Sequence, residues 1–206
     1  MKLGLAMAAL LCGVLSAQEK PQDLQLFLLI GQSNMAGRGV VEAQDKEILP
    51  RVFMLNKEMA WVPAVDPLHF DKPAIAGVGL GRTFAKTLLV ANRSAAIGLI
   101  PAAFGGTSLD EWKPGDKLYV DAVKRAQEAM KSGKLRGILW HQGEADAAKE
   151  ELMTTYRTRF ANLVAHLRED LHAPDVPVVV GPGAAVFPAL TPLSGRPGGV
   201  ATVRSS

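Results

Sequence analysis

The chain has 206 residues, 48% of them hydrophobic and 21% charged, a make-up that fits one globular domain and excludes a disordered chain. A single cysteine excludes a disulfide framework and a cysteine-rich zinc module. The net charge of +3 comes from Lys2, Arg196 and Arg204; the body from 18 to 180 holds 20 basic and 20 acidic side chains and no Lys/Arg block, which excludes a nucleic-acid partner recognised through clustered charge.

Residues 1–17 place Lys2 before an uncharged apolar run from Leu3 to Leu15, followed by Ser16 and Ala17. This is the layout of a cleaved export leader, too short to span a bilayer. Leu11 precedes Cys12 where a lipoprotein leader needs a small residue, so no lipid anchor is expected. The expected location is secreted or periplasmic, with no membrane contact after cleavage. A mature chain without thiols then depends on its core.

Apolar runs follow at 24–30, 52–55, 95–100, 137–140 and 176–180. Each lacks the alternation of a half-exposed strand and reads as a buried parallel strand. Helical spacing covers 81–91, 117–131 and 146–171. In the last, Leu152, Tyr156, Phe160, Leu163, Leu167 and Leu171 recur every three or four residues. Strands alternating with helices imply right-handed crossovers and a parallel sheet covered on both faces. Residues 181–206 hold five Gly and four Pro but no Asp, Glu or His, and read as an irregular tail. The domain is therefore 18–180, between the leader at 1–17 and this tail.

In such a sheet, ligands bind beyond the carboxyl ends of the strands. Three polar motifs stand there: Gly31-Gln-Ser-Asn-Met-Ala-Gly37, Ala103-Phe-Gly-Gly-Thr-Ser108 and His141-Gln-Gly-Glu-Ala-Asp146. Ser33, at a strand mouth and a helix start, is a candidate nucleophile whose own N–H would help hold an oxyanion. Its structural alternative is an N-cap. Met35 stands where the elbow pattern G-x-S-x-G needs glycine. Gly105 and Gly106 offer a second backbone donor. Gln142 is a candidate oxyanion donor. Glu144 would polarise a base or bind a substrate hydroxyl, or else serve, like Asp146, as a helix N-terminal acid. Asn34, Thr107 and His141 would line the pocket. His141, Glu144 and Asp146 lack the spacing of a metal site. Gly77-Val-Gly79-Leu-Gly81-Arg82 fails the dinucleotide pattern at Arg82. No metal or organic cofactor is expected.

Taken together, GQSNMAG, GGTSLDEW and WHQGEAD resemble the SGNH-hydrolase superfamily, and within it the sialate O-acetylesterase and acetylxylan esterase branch, carbohydrate esterase family 6. The likeness spans 24–180. It implies a three-layer α/β/α sandwich with a parallel, flavodoxin-like sheet. It also implies Ser33 as nucleophile, and oxyanion donors from the N–H of Ser33, the N–H of Gly105 or Gly106, and the Gln142 side chain. Glu144 becomes an acid near the catalytic histidine. The implied activity is release of acetate from an acetylated carbohydrate through an acyl-serine.

The family's base is a C-terminal Asp-x-x-His. Here the last histidine is His172 and the last acid Asp175. The domain is therefore read as C-terminally incomplete, its tail truncated or frame-altered, with hydrolysis in question. His172 and His166 share the long helix, and His172 is expected at the far edge of the sheet. His69 has no named partner. His141 stands in the third motif. The competing reading is a non-catalytic carbohydrate-binding relic that uses Trp112 and the former pocket. Trp61 and the loop 59–79 are expected on the acceptor side.

Overall fold

The computed structural model describes residues 21–181 and 200–202. The leader at 1–17 and the tail at 182–199 and 203–206 lie outside the described residues. Seven strands form one sheet: Leu24–Gly31 (β1), Val52–Leu55 (β2), Trp61–Pro63 (β3), Ile97–Pro101 (β4), Gly133–His141 (β5), Val178–Val180 (β6) and Val200–Thr202 (β7), in the order β3-β2-β4-β1-β5-β6-β7. Every pairing is parallel except that of β3, which turns back antiparallel on β2.

β1 lies at the centre, and its composition follows from that place. Leu24, Leu26, Leu28 and Ile30 face one layer, while Phe27 and Leu29 face the other. A strand buried on both sides has no polar face, so its sequence shows no alternation. Lys117–Ala129 (α3) and Glu150–Asp170 (α5) cover the first face. There Trp140 meets Trp112 edge-on at 5.5 Å and Phe160 at 5.4 Å. Gly81–Ala91 (α2) and the short Ser33–Ala36 (α1) cover the second face through Ala85, Phe84, Met35 and Ala36. The molecule is a three-layer α/β/α sandwich.

All five expected strands form. The run at 137–140 is the second half of the longer β5, whose first half carries exposed Lys134 and Arg136 that mask its pattern. The expected helix at 146–171 divides into Glu144–Ala147 (α4) and α5, because Lys149 is extended between them. Two strands carry no sequence signal. β3 exists through a hairpin in which Asn56 exchanges hydrogen bonds with Ala60. β7 falls inside the expected irregular tail and pairs with β6, Val178 opposite Val200. Pairing with a neighbour can fix three residues that have no periodicity of their own. No helix among the described residues is long and apolar enough to cross a membrane.

Arg125 joins the sheet edge to α3. It is 6% exposed, and it donates to the carbonyls of Pro101 at 2.8 Å, Leu55 at 2.6 Å and Asn56 at 3.0 Å. These are carbonyls at the carboxyl ends of β4 and β2, where the ladder no longer satisfies them. Burial pushes its guanidinium down to about 10. Arg125→Met removes the donors and leaves buried carbonyls behind. Urea denaturation should show a loss of about 2–4 kcal/mol with an unchanged m-value.

Candidate active site

β4, β1 and β5 are adjacent, so the three motifs that follow them converge at one edge of the sheet. The first turn is held from both sides. Phe104 N–H donates to the Gly31 carbonyl at 2.9 Å, and Gln32 N–H donates to the His141 carbonyl at 2.9 Å. Gly31 has φ +133°, and a Cβ there would lie 2.3 Å from the His141 oxygen. Only glycine fits a backbone approach of that kind. Ser33 then opens α1 and is half-buried.

Glu144 stands over this turn. Its carboxylate accepts from the Gln32 amide with one oxygen and from the Asn34 amide with the other. The two residues flanking Ser33 are thereby clamped to the start of α4. Gln32, present in the motif but given no role in the sequence reading, is buried and serves as half of that clamp. Asn34 is exposed and supplies the other half.

Behind the clamp lies a buried polar network. Asp146 is fully buried. Its carboxylate accepts from Leu109 N–H at 2.8 Å, Gln142 Nε2 at 2.6 Å and Arg159 Nη2 at 2.8 Å. The second Gln142 amide hydrogen goes to the Thr107 carbonyl at 3.1 Å, and Gln142 Oε1 accepts from the Tyr156 hydroxyl at 2.8 Å. The expectation that the Gln142 side chain donates to an oxyanion is therefore corrected: it is fully buried and both its donors are spent on the fold. Thr107 is likewise a strut rather than a pocket wall. Its hydroxyl donates to the Phe104 carbonyl at 2.8 Å and accepts from Trp112 Nε1 at 3.1 Å. Trp112 is 1% exposed, so it presents no platform to a sugar, contrary to the binding-relic expectation.

The glycine pair divides. Gly105 N–H donates to Asp71 Oδ2 at 2.8 Å, and Arg38 Nη2 holds the same oxygen at 2.6 Å. Burial would raise the Asp71 carboxyl, but the hydrogen bonds from Arg38 and from the N–H of Gly105 and Lys72 outweigh it and hold the group below the usual carboxylate range. The N–H groups of Ser33 and Gly106 donate to no acceptor among the described residues. Of the two candidate glycines, Gly106 is the one left to serve a ligand. Arg38 and Asp71 are 33 residues apart, and no periodicity links them.

The histidines separate by position. His141 ends β5 and packs its ring against Gly181, beside an apolar cavity of about 210 Å³ that Met35 and Phe84 also line. His172 lies at the amino edge of the sheet with Lys134 and Arg136, away from Ser33. His166 is exposed on α5. His69 is buried, its Nδ1 accepting from Ala103 N–H at 3.3 Å. Among the described residues, no imidazole is hydrogen-bonded to the Ser33 hydroxyl. Nor is any group of three His, Cys, Asp or Glu side chains placed to hold a metal ion.

Two stability measurements check this geometry. Asp146→Ala leaves the Leu109 N–H and one Gln142 amide hydrogen without an acceptor, while Arg159 keeps Asp110 and the Leu152 carbonyl, and should cost about 2–4 kcal/mol in urea. Asp146→Asn, which keeps one acceptor, should cost less. His69 titrates the fold. Burial pushes its imidazole down to about 3, so it stays neutral in the folded chain while the unfolded chain gains a proton below about 6.5. Stability is then lost as pH falls from about 6.5 toward 3. Between pH 7 and pH 4, His69→Gln should recover roughly 3 kcal/mol of that loss relative to the parent chain.

Comparison with known proteins places the chain among carbohydrate esterases. A family model described as carbohydrate esterase, sialic acid-specific acetylesterase, matches residues 23–187. A probable carbohydrate esterase of Arabidopsis thaliana, At4g34215, is 38% identical over 176 residues, covering 75% of this chain and 67% of the relative. The crystal structure of At4g34215 superposes with a TM-score of 0.81 at 32% identity, over 88% of this chain and 85% of that one. NanS shares the fold at a TM-score of 0.73 and 18% identity, over 91% of this chain and 79% of its own. A carbohydrate acetylesterase of Xanthomonas citri, XAC1771, shares it at 0.57 and 22% identity, over 76% and 40%. With the family model covering most of its length, the chain belongs to the sialic acid-specific acetylesterase family of carbohydrate esterases.

Proposed function

We propose that this chain is a serine carboxylic-ester hydrolase that removes acetyl groups from sugar hydroxyls, as on acetylated sialic acids or acetylated xylan, after export by its leader. One observation carries the reading. Ser33 opens a helix at the centre of the sheet's carboxyl edge, with Glu144 gripping the amides on either side of it.

The chemistry follows from the groups present. Ser33 Oγ attacks the acetyl carbonyl and gives its proton to a base. The carbonyl oxygen becomes an oxyanion, held by the N–H groups of Ser33 and Gly106. Collapse breaks the bond to the sugar oxygen, which takes the proton and leaves as a hydroxyl. Water then attacks acetyl-Ser33, releasing acetate and restoring the serine. Glu144 holds the turn that presents Oγ.

An imidazole suits the base role, and none bonds Ser33 among the described residues. Turnover of p-nitrophenyl acetate should therefore be slow and should rise about 100-fold with free imidazole. Once the hydrolysis that imidazole itself brings about in buffer is subtracted from every rate, Ser33→Ala should show no gain. Equal rates for parent and Ser33→Ala, with and without imidazole, would overturn the reading.

A further inference from the structure

We infer that a cavity one strand away from Ser33 holds the sugar ring of the ester substrate; this rests on the esterase reading above. The cavity measures about 310 Å³ and opens at the carboxyl ends of β2 and β4, between the turn at Met59, the loop at His69–Asp71 and α3. This is the low end of the range for small-ligand pockets, enough for a single ring. Its wall at Phe104 is tied directly to the nucleophile turn, because Phe104 N–H donates to the Gly31 carbonyl two residues before Ser33.

The lining suits a pyranose. Phe104 is 38% exposed, one of the few large apolar side chains left open to solvent. Phe70 forms a second aromatic wall, fixed by the Arg125 guanidinium 4.7 Å from its ring centroid. Sugars present C–H faces that pack on aromatic rings and hydroxyls that need directional partners. The directional partners sit at the mouth. Lys124 is exposed there and enters no ion pair among the described residues, so its ammonium is a spare donor for a hydroxyl or a sugar carboxylate. Asp121, exposed beside it in the same lining, is a carboxylate acceptor. Nε2 of His69 and Oδ1 of Asp71 are closed off from solvent behind the wall and serve no ligand in the cavity.

The test uses the full chain and sugars that carry no ester. Methyl β-xylopyranoside and the methyl glycoside of N-acetylneuraminic acid are titrated by NMR into the parent chain, Phe104→Ala and Ala102→Phe. Circular dichroism confirms that each variant is folded. At least one glycoside should bind the parent. Phe104→Ala should weaken it roughly fivefold, and Ala102→Phe, which fills the cavity, should abolish it. Failure of both glycosides to bind, or equal binding by all three chains, would sink the cavity assignment whatever the Ser33 assay gives. Glycoside binding that depends on both positions, together with p-nitrophenyl acetate turnover indifferent to Ser33→Ala, would keep the sugar site and remove the esterase reading.

Discussion

Asp146 is a charged group with no access to water, and the arrangement of the site depends on how that charge is met. A buried carboxylate left alone costs several kcal/mol. Here it draws one donor from each of three elements: Leu109 N–H after β4, the Gln142 amide after β5, and Arg159 from α5. The loops that follow two separate strands are thereby pinned to one atom group. Gln142 extends the network to the Thr107 carbonyl and the Tyr156 hydroxyl. Trp112 and Trp140 then close it with indole donors to Thr107 and Tyr156. The side chains of Gln142, Asp146, Thr107 and Tyr156 are all satisfied, as a network in a low-dielectric interior must be.

The outer members of the same motifs are spent on holding the Ser33 turn. In HQGEAD, Gln142 and Asp146 point inward while Glu144 reaches over Ser33. In GQSN, Gln32 and Asn34 both turn to Glu144, and the hydroxyl between them is left at the surface of the turn. Asp71, held by a hydrogen bond from Arg38, accepts the Gly105 N–H and leaves that of Gly106. Under the proposed esterase function, the N–H groups of Ser33 and Gly106 are oriented before a substrate arrives, which is the condition for electrostatic stabilisation of an oxyanion.

Much of the fold was legible because burial imposes composition. A central parallel strand must be apolar on both faces, and β1, β2, β4, β5 and β6 all appear as apolar runs. α2 and α3 show one apolar stripe each and begin where their spacing begins. Positions beyond strand ends mark the three loops that carry Ser33, Gly106 and Glu144. Local pattern misleads where one residue type serves two ends. A glutamine beside a motif can donate to a ligand or to the fold, and Gln142 does the second. A tryptophan near a pocket can stack on a sugar or fill a core, and Trp112 does the second.

The amino-acid pattern alone suffices for the class of the fold, for the three loops beyond the strands, and for the absence of Asp, Glu and His after Asp175. These are properties of local pattern, since strand and helix periods and turn residues act over a few neighbours. Long-range contacts are what place β4 between β2 and β1, make β3 and β7 strands, and set which members of each motif face inward. They also decide that Asp71 spends the Gly105 N–H. Such choices depend on partners far apart in the chain. Arg38 with Asp71, and Leu109 with Asp146, meet because a buried charge and an unpaired N–H must be satisfied, and no local pattern records which distant residue will do it.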